Sequence, residues 1–219
     1  MGNEQLVEII SGYYSPHPWI FKNPRVLEAF RVVDRANYLP EAVGGRAYEN
    51  SAIPIKDEQN CSQPQIIAVM ANALELEPGL NILIIGTGSG YTDAIFYEAM
   101  RRNGKLTTME IDPALHELGK LNLERHFGAL EGKIDFVLGD GSVGYSAEAP
   151  YDRICLTAAP DKRTFDVNLL LNQLKRRGIL LFPESLTDRL LLYKKGFLWG
   201  YEASEVCEAF FVPLQGKNT

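Results

Sequence analysis

A short apolar run that stops at evenly spaced glycines is the feature that most constrains the fold of this chain. Residues 82–85 are all Ile or Leu, Gly86, Gly88 and Gly90 follow, and an amphipathic pattern begins at Tyr91. An apolar run bounded by glycine is typical of a buried parallel strand. Glycine lets the backbone turn tightly near a ligand, and the next helix presents unbonded N–H groups at its first turn. The stretch therefore predicts a strand, a nucleotide-binding loop and a helix.

Strand and helix patterns alternate along most of the chain. The predicted strands cover 52–55, 82–85, 105–109, 134–138, 151–156, 179–182, 190–194 and 208–212. The predicted helices cover 6–14, 24–33, 62–76, 91–102, 113–123 and 167–174, with Ser62 as an N-cap. Alternation predicts a parallel sheet covered on both faces, and the last strands, which lack an intervening helix, predict an antiparallel edge. We expect an α/β fold with a doubly wound, mostly parallel Rossmann-like sheet and an N-terminal helical cap.

Length and charge narrow the classes of function. The 219 residues suit one large domain, or one domain with a small appendage. The formal net charge of −6 disfavours a nucleic-acid partner, because phosphate backbones favour a basic face. The sequence has no apolar run as long as a membrane span, and residues 1–5 lack the basic start of a secretory signal. We expect a cytoplasmic protein with a peptide or small-molecule substrate and no membrane partner.

The cysteines predict reduced thiols. Cys61, Cys155 and Cys207 are odd in number and far apart, which suits a cytosolic protein better than a disulfide framework. The sequence has no CxxC or HxxxH pair, so we expect no metal site. Cys61 stands beside Ser62, but its neighbours offer no activating base, and we interpret it as a small packing residue. Cys155, inside an apolar strand, is expected in the core.

Three predicted strand ends carry groups that suit an adenosine ligand. Ligands of open parallel sheets bind outside the carboxyl ends of the strands. Glu110 follows the glycine loop by twenty residues and could accept hydrogen bonds from ribose hydroxyls, while Asp140 could accept an adenine amino proton. Each signal alone has a simpler interpretation, since glycine loops make plain turns, Glu110 could be a solvated strand end and Asp140 a turn former. Their order along the chain favours the joint interpretation, although the loop alone would also suit an NAD-dependent reductase.

Ten segments, in order between about residues 23 and 215, resemble the protein-L-isoaspartate O-methyltransferases. They are Asn23-Pro-Arg-Val-Leu-Glu-Ala-Phe30, Tyr38-Leu-Pro-Glu-Ala42, Ala47-Tyr-Glu49, Ala52-Ile-Pro-Ile55, Ser62-Gln-Pro64, Gly86-Thr-Gly-Ser-Gly-Tyr91, Gly139-Asp-Gly-Ser142, Tyr151-Asp-Arg-Ile154, Thr157-Ala-Ala159 and Phe211-Val-Pro-Leu214. The resemblance implies an S-adenosyl-L-methionine-dependent enzyme that methylates the α-carboxylate of L-isoaspartyl residues and so starts the repair of damaged proteins. It also implies one methyltransferase domain over 1–219, with 1–60 as the cap and substrate-side segment and 61–219 as the cofactor-binding core.

The resemblance also implies roles for individual residues. Ser62 matches the catalytic serine. The implied cofactor-binding residues are Gly86, Thr87, Gly88, Ser89, Gly90, Glu110, Ile111, Asp140 and Gly141. The implied substrate-binding residues are Asn60, Cys61, Val212, Pro213 and Leu214. Carboxylates have a reference pKa of about 4, so the nucleophile is already ionised and the reaction requires no general base.

The chain departs from the family pattern at three places, one of which is Pro183-Glu-Ser185 after the fifth strand, where the family has Pro-Val-Gly. Ile84 stands where the family has an acid near the methionine end of the cofactor, and Asn60 and Cys61 replace other residues before Ser62. We expect the cofactor's ammonium group to lose a favourable partner. Two alternatives therefore stay open: a diverged methyltransferase for another carboxylate, and a cofactor-binding protein that has lost catalysis. Methylation of nucleic-acid bases is disfavoured, because the fourth of the sheet strands ends in Leu156-Thr-Ala-Ala-Pro160.

Overall fold

The computed structural model describes residues 2–12, 23–197 and 200–219. It contains a two-stranded hairpin and a seven-stranded sheet flanked by helices. The strands are β1 (Ile53–Lys56), β2 (Gln59–Cys61), β3 (Leu80–Ile85), β4 (Gly104–Glu110), β5 (Ile134–Leu138), β6 (Tyr151–Leu156), β7 (Leu174–Glu184), β8 (Arg189–Lys195) and β9 (Tyr201–Glu208). The helices are α1 (Asn3–Gly12), α2 (Pro24–Val32), α3 (Pro64–Ala73), α4 (Tyr91–Ala99), α5 (Pro113–Phe127) and α6 (Asn168–Leu171).

The sheet has the predicted parallel centre and antiparallel edge. Its strand order is β5-β4-β3-β6-β7-β8-β9, in which β5 to β7 pair in parallel and β7, β8 and β9 pair antiparallel. The central strand β3 is apolar on both faces, since Ile82 and Ile84 pack in one core cluster and Leu83 and Ile85 in another. This burial on both faces explains the unbroken apolar run in the sequence.

The topology places three strand ends at one edge of the sheet. Gly86 follows β3, Glu110 ends β4, and Gly139 follows β5, and these strands are neighbours in the sheet. The predicted α/β architecture and the predicted meeting of these strand ends are both confirmed. This edge is where ligands of open parallel sheets bind.

The N-terminal helices α1 and α2 pack on helices α3 and α4 through apolar side chains. Leu6, Ile10 and Phe30 belong to the same core cluster as Ile67 of α3 and Tyr91 of α4. Helix α2 begins as predicted, because Asn23 accepts a hydrogen bond from the Arg25 N–H and Pro24 occupies the first helical turn. None of the helices in the described ranges has both the length and the apolar character that a bilayer crossing requires.

Two predicted elements near the C-terminus are wrong. The helix predicted over 167–174 is only α6, because Leu174 already pairs with Tyr151 at the start of β7. The strand predicted over 208–212 lies instead at Tyr201–Glu208, where β9 pairs with β8 from Tyr201 onward. Because β9 is a mostly exposed edge strand, it lacks the apolar pattern that identified the other strands.

Two other predictions differ at their bounds. The short strand predicted over 52–55 is the first arm of the β1–β2 hairpin, which the sequence did not indicate as a pair. The first helix is described as far as Gly12, so the predicted end at Tyr14 lies outside the described residues, as do His17 and Trp19.

Candidate active site

A cavity at the carboxyl edge of the sheet collects most of the residues predicted for function. We call it the glycine-loop cavity. The predicted residues that line it are Asn60, Cys61, Ser62, Gly86, Thr87, Gly88, Ser89, Glu110, Ile111, Gly141, Val212, Pro213 and Leu214. Gly90 and Asp140 were also predicted for this site, and both lie outside the lining.

The loop after β3 has a backbone that favours glycine at each of the three positions. Gly86, Gly88 and Gly90 have φ values of 102°, 53° and 81°, in the region that L side chains rarely adopt. A Cβ atom at Gly86 would lie 2.2 Å from the Thr157 hydroxyl oxygen. Gly90 is the N-cap of α4, so its backbone conformation sets where that helix begins, and it lies outside the cavity lining. The N–H groups of the three glycines are bonded to Met109, Glu110 and Thr87, so what glycine provides here is a cavity wall of bare backbone without side chains in front of it.

Glu110, which was predicted to bind ribose hydroxyls, is hydrogen-bonded to the glycine loop and to the two residues after β4. Its Oε2 accepts a hydrogen bond from the Gly88 N–H at 2.9 Å. Its Oε1 accepts from the N–H groups of Ile111 at 2.9 Å and Asp112 at 3.1 Å. An ionised carboxylate has about four acceptor positions, so about one is left for a ligand hydroxyl. The ribose contact stays a prediction, and the geometry leaves about one acceptor position of the Glu110 carboxylate for a ribose hydroxyl.

The Asp140 carboxylate is hydrogen-bonded to Ser142 and to Lys217 near the C-terminus. Its Oδ1 accepts from the Ser142 N–H at 2.9 Å, and its Oδ2 accepts from the Lys217 N–H at 2.9 Å. Partial burial opposes ionisation, but these bonds hold the pKa of the carboxyl below its ordinary value. The side chain thus caps a short turn, as the simpler interpretation supposed. Its predicted contact with adenine stays a prediction, while the adjacent Gly139 and Gly141 line the cavity.

Ser62 lies in the connection between β2 and α3. The predicted N-cap role is wrong, because Gln63 is the N-cap and the helix begins at Pro64. The Gln63 side chain donates to the Asn50 carbonyl at 3.0 Å instead of capping the helix. Helix formation starts after Ser62 because β2 extends to Cys61 and the Arg35 side chain donates to the Ser62 carbonyl oxygen. Ser62 is thereby left to line the cavity with its own side chain.

A second cavity, of about 270 Å³, lies beside the glycine-loop cavity. The two share Asn60, Ser62, Thr157 and Val212 in their walls. The other residues around the second cavity come from three parts of the chain, which are Ala52, the start of α3 and the segment after β9 that includes Glu208 and Phe211. The site therefore has two adjacent compartments, and Ser62 is one of the four residues in the wall between them.

The cysteines match their predicted roles where the structure describes them. Cys61 is buried, and burial raises the pKa of its thiol, so the uncharged form prevails at neutral pH. It lines the glycine-loop cavity at the same time, where its substrate contact stays a prediction. Cys155 is fully buried in the core, as predicted.

Several residues of the site were missed by sequence reasoning. Thr157 follows β6 and donates a hydrogen bond of 2.6 Å to the Gly86 carbonyl oxygen. Asp112 caps α5 through the N–H groups of Ala114 and Leu115, and its carboxylate also binds Lys56 of β1. Thr157 could have been inferred from the rule that strand ends line the site, since β6 is the neighbour of β3. The Lys56–Asp112 pair joins residues 56 positions apart and has no local signal.

Comparison with known proteins gives one consistent family. The model of the protein-L-isoaspartate(D-aspartate) O-methyltransferase (PCMT) family matches residues 13–219. The protein-L-isoaspartate O-methyltransferase of Methanococcoides burtonii is 37% identical over 195 residues, which cover 88% of this chain and 93% of that protein. The protein of the same name from Methanothrix thermoacetophila is 35% identical over 219 residues, covering 99% of this chain and 96% of its own.

Solved structures agree with this result. A protein-L-isoaspartate O-methyltransferase structure superposes with a TM-score of 0.82 at 25% identity and covers 99% of this chain and 67% of that chain. A Plasmodium falciparum protein of the same kind, solved in complex with S-adenosyl-L-homocysteine, gives a TM-score of 0.80 over 98% of this chain and 99% of its own. At 19% identity, this match shows a shared fold alone.

Proposed function

The chain belongs to the protein-L-isoaspartate(D-aspartate) O-methyltransferase family, and we propose that it transfers the methyl group of S-adenosyl-L-methionine to the α-carboxylate of L-isoaspartyl residues in peptides and proteins. The observation that carries this proposal is the position of Ser62 in the wall shared by the two cavities. A donor in the glycine-loop cavity and an acceptor in the second cavity would meet at that residue.

The glycine-loop cavity suits an adenosyl ligand. The crowding of Gly86 against Thr157 shows a backbone built for close approach, and Glu110 presents a carboxylate beside the loop. We assign the cofactor contacts to Gly86, Thr87, Gly88, Ser89, Ile111 and Gly141 as lining residues, with Gly90 and Asp140 supporting the loops from outside the lining. When bound, S-adenosyl-L-methionine supplies an electrophilic methyl group on a positively charged sulfur.

The acceptor requires positioning more than acid–base catalysis. A peptide carboxylate is ionised at neutral pH, so the protein has to hold one oxygen in line with the methyl group. Ser62 can donate its hydroxyl hydrogen to the other carboxylate oxygen, while Asn60 and Val212 confine the acceptor in the shared wall. Opposite charges neutralise as the methyl group moves, so the exclusion of water from the adjacent cavities favours the reaction.

The partners and cellular location follow from the same proposal. The net charge of −6 disfavours nucleic acid and is compatible with a peptide acceptor. The three thiols described as unpaired suit a reducing cytoplasm. The whole chain would act as one methyltransferase domain, with 1–60 on the substrate side and 61–219 around the cofactor.

The decisive experiment uses methyl-labelled S-adenosyl-L-methionine with peptides that differ only in an isoaspartyl or an aspartyl residue. We expect base-labile label on the isoaspartyl peptide alone. Label on other carboxylates, with none on the isoaspartyl peptide, would favour a diverged acceptor. Cofactor binding in calorimetry without transfer to any peptide would show that catalysis has been lost.

A further inference from the structure

Asp93 is a buried carboxyl group that the proposed reaction leaves unused. It lies in the first turn of α4 and is 0% exposed. Neither carboxyl oxygen meets a partner with full hydrogen-bond geometry within the described ranges, although the Thr108 hydroxyl and the N–H of Asp93 itself lie near the carboxyl group. Buried polar groups are nearly always paired, because an unpaired one costs stability. An acid kept in this state therefore calls for a functional explanation.

The surroundings of Asp93 place it beneath the cofactor loop. Ile84 of β3 stands between Thr108 of β4 and Cys155 of β6 in the sheet register. The Asp93 carboxyl group interacts with both outer residues, since the Thr108 hydroxyl lies near it and its charge acts on the Cys155 thiol. Asp93 therefore lies near the row of the sheet that contains Ile84, two residues before the first glycine of the loop.

A pair of hydroxyl groups connects Asp93 with the cavity. The hydroxyl oxygens of Thr108 and Thr87 are 2.7 Å apart, and Thr87 lines the glycine-loop cavity. The Thr108 side chain thus lies between the Asp93 carboxyl group and Thr87 in the cavity wall. At this separation the charge of Asp93 can act on a ligand through a medium of low dielectric constant.

The groups that face Asp93 leave its charge unbalanced. They are Thr108 and Glu110 of β4, the Cys155 thiol of β6 and the Tyr38 hydroxyl of the N-terminal segment. Burial raises the pKa of Asp93 to about 7 and the Glu110 charge acts in the same direction, while the Thr108 hydroxyl and the N–H of Asp93 itself oppose them. The protein supplies neutral or negative groups there, so a cationic ligand would be the natural stabiliser of the ionised form.

We propose that Asp93 is a specificity-determining residue that favours the cationic methyl donor over the product, a role that rests on the proposed function. S-adenosyl-L-methionine carries a positive sulfur that S-adenosyl-L-homocysteine lacks, while both carry the same ammonium and adenosyl groups. A carboxylate beneath the loop therefore stabilises the donor more than the product. Donor binding lowers the pKa of Asp93, and the released proton goes to solvent.

Calorimetry of both ligands at pH 6 and pH 8 tests this inference. We expect the ratio of the two dissociation constants to shift several-fold towards the donor at pH 8, because Asp93 is ionised there. Asp93→Asn, which resembles the protonated acid in shape, should make the ratio independent of pH. Glu117→Gln is the matched control, since it removes one exposed charge from α5 and should behave as the parent protein.

A second measurement needs no variant. Titrations at pH 6.5 in buffers of different ionisation enthalpy should show proton release with the donor and less with the product. An unchanged affinity ratio in Asp93→Asn, or equal proton release with both ligands, would overturn the inference. Both ligands failing to bind would instead contradict the proposed function, so the two failures are distinct.

Discussion

The guanidinium group of Arg35 donates a hydrogen bond of 3.0 Å to the carbonyl oxygen of Ser62. Arg35 is fully buried, and it also donates to the carbonyl oxygens of Ala47, Glu49 and Ser51 at 3.2, 2.8 and 2.8 Å. One side chain thus fastens the segment before β1 to a residue in the wall between the cavities. The planar fork of arginine matches several acceptors at once, which lysine cannot do.

Arg35→Lys should therefore lower kcat more than it raises the KM for the cofactor. We expect a fall in kcat of about tenfold, the equivalent of one lost hydrogen bond from a charged group at about 1.5 kcal/mol. Steady-state kinetics with both substrates would measure the two effects. Arg31→Lys is the control, because Arg31 is partly exposed on the neighbouring α2 and pairs with Glu28. An equal fall in kcat in the two variants would contradict a positioning role for Arg35.

Ser62→Ala should lose activity without losing stability. The expected fall in kcat is about 10-fold to 100-fold, the equivalent of one lost hydrogen bond to a charged group at about 1.5–3 kcal/mol. Because Gln63 is the N-cap of α3, the variant should escape the cost of about 1 kcal/mol that removal of a capping serine carries. Urea denaturation and peptide kinetics would separate the two quantities. A large loss of stability with full activity per folded molecule would contradict this assignment.

The parts of the fold that could be predicted are those with a local physical signal. The apolar run of β3 and the glycines after it mark a buried strand and a tight loop without any tertiary information. Edge strand β9 escaped prediction, because its side chains are mostly exposed and its pairing with β8 fixes its register. The N-cap at Ser62 failed for a related reason, since a long-range bond from Arg35 keeps that residue extended.

The same distinction applies to the candidate site. Glu110 and Gly141 could be predicted because strand ends meet at one edge of a parallel sheet. Asp93 could not, because its helical position within a first turn suggests a favourable interaction with the helix dipole at the surface. Only the packing of α4 on the sheet shows that this acid is buried near the row of the sheet that contains Ile84.

Removal of the Lys56–Asp112 ion pair should speed the release of S-adenosyl-L-homocysteine, the product formed from the cofactor. Lys56 ends β1, Asp112 caps α5, and the hairpin residues Ile55 and Asn60 wall the glycine-loop cavity. Lys56→Gln should raise the dissociation rate of S-adenosyl-L-homocysteine by about twofold to fivefold, the range for a partly exposed ion pair. Stopped-flow measurement at low and high salt would test this. Lys105→Gln is the control, since Lys105 pairs with Asp135 and Glu148 far from the cavity.

The Lys56 hydrogen bond also predicts a dependence on pH. It is the main cause that holds the pKa of Asp112 below its ordinary value. A depressed carboxyl pKa stabilises the folded state above the ordinary value of about 4, and this contribution disappears as the pH falls through the folded pKa. The release rate in the parent protein should therefore approach that of Lys56→Gln below about pH 4, provided the chain stays folded there. A difference between the two proteins that persists below the folded pKa of Asp112 would contradict the pairing.

Asp93 should make the unliganded protein less stable as the pH rises. Its folded pKa of about 7 lies above the ordinary value of about 4, so the folded state binds an extra proton between these two pH values. Stability contributed by that proton is present below about pH 4 and is lost as the pH rises through about 7. The parent protein should lose more unfolding free energy than Asp93→Asn over this window. Parallel slopes in denaturant titrations would contradict burial of an ionisable Asp93.

A variant in which the carboxyl group is moved from position 93 to position 84 should still bind S-adenosyl-L-methionine in preference to S-adenosyl-L-homocysteine. Asp93 lies near the row of the sheet that contains Ile84, so a glutamate at position 84 would place a carboxyl group in the same region beneath the loop. Ile84→Glu alone puts two acids together and should destabilise the fold by about 1–3 kcal/mol, the range for an unsatisfied buried group. Asp93→Ala alone should reduce the affinity for S-adenosyl-L-methionine relative to S-adenosyl-L-homocysteine. The double variant should recover most of both losses, and a loss equal to the sum of the single effects would show that the two positions act independently.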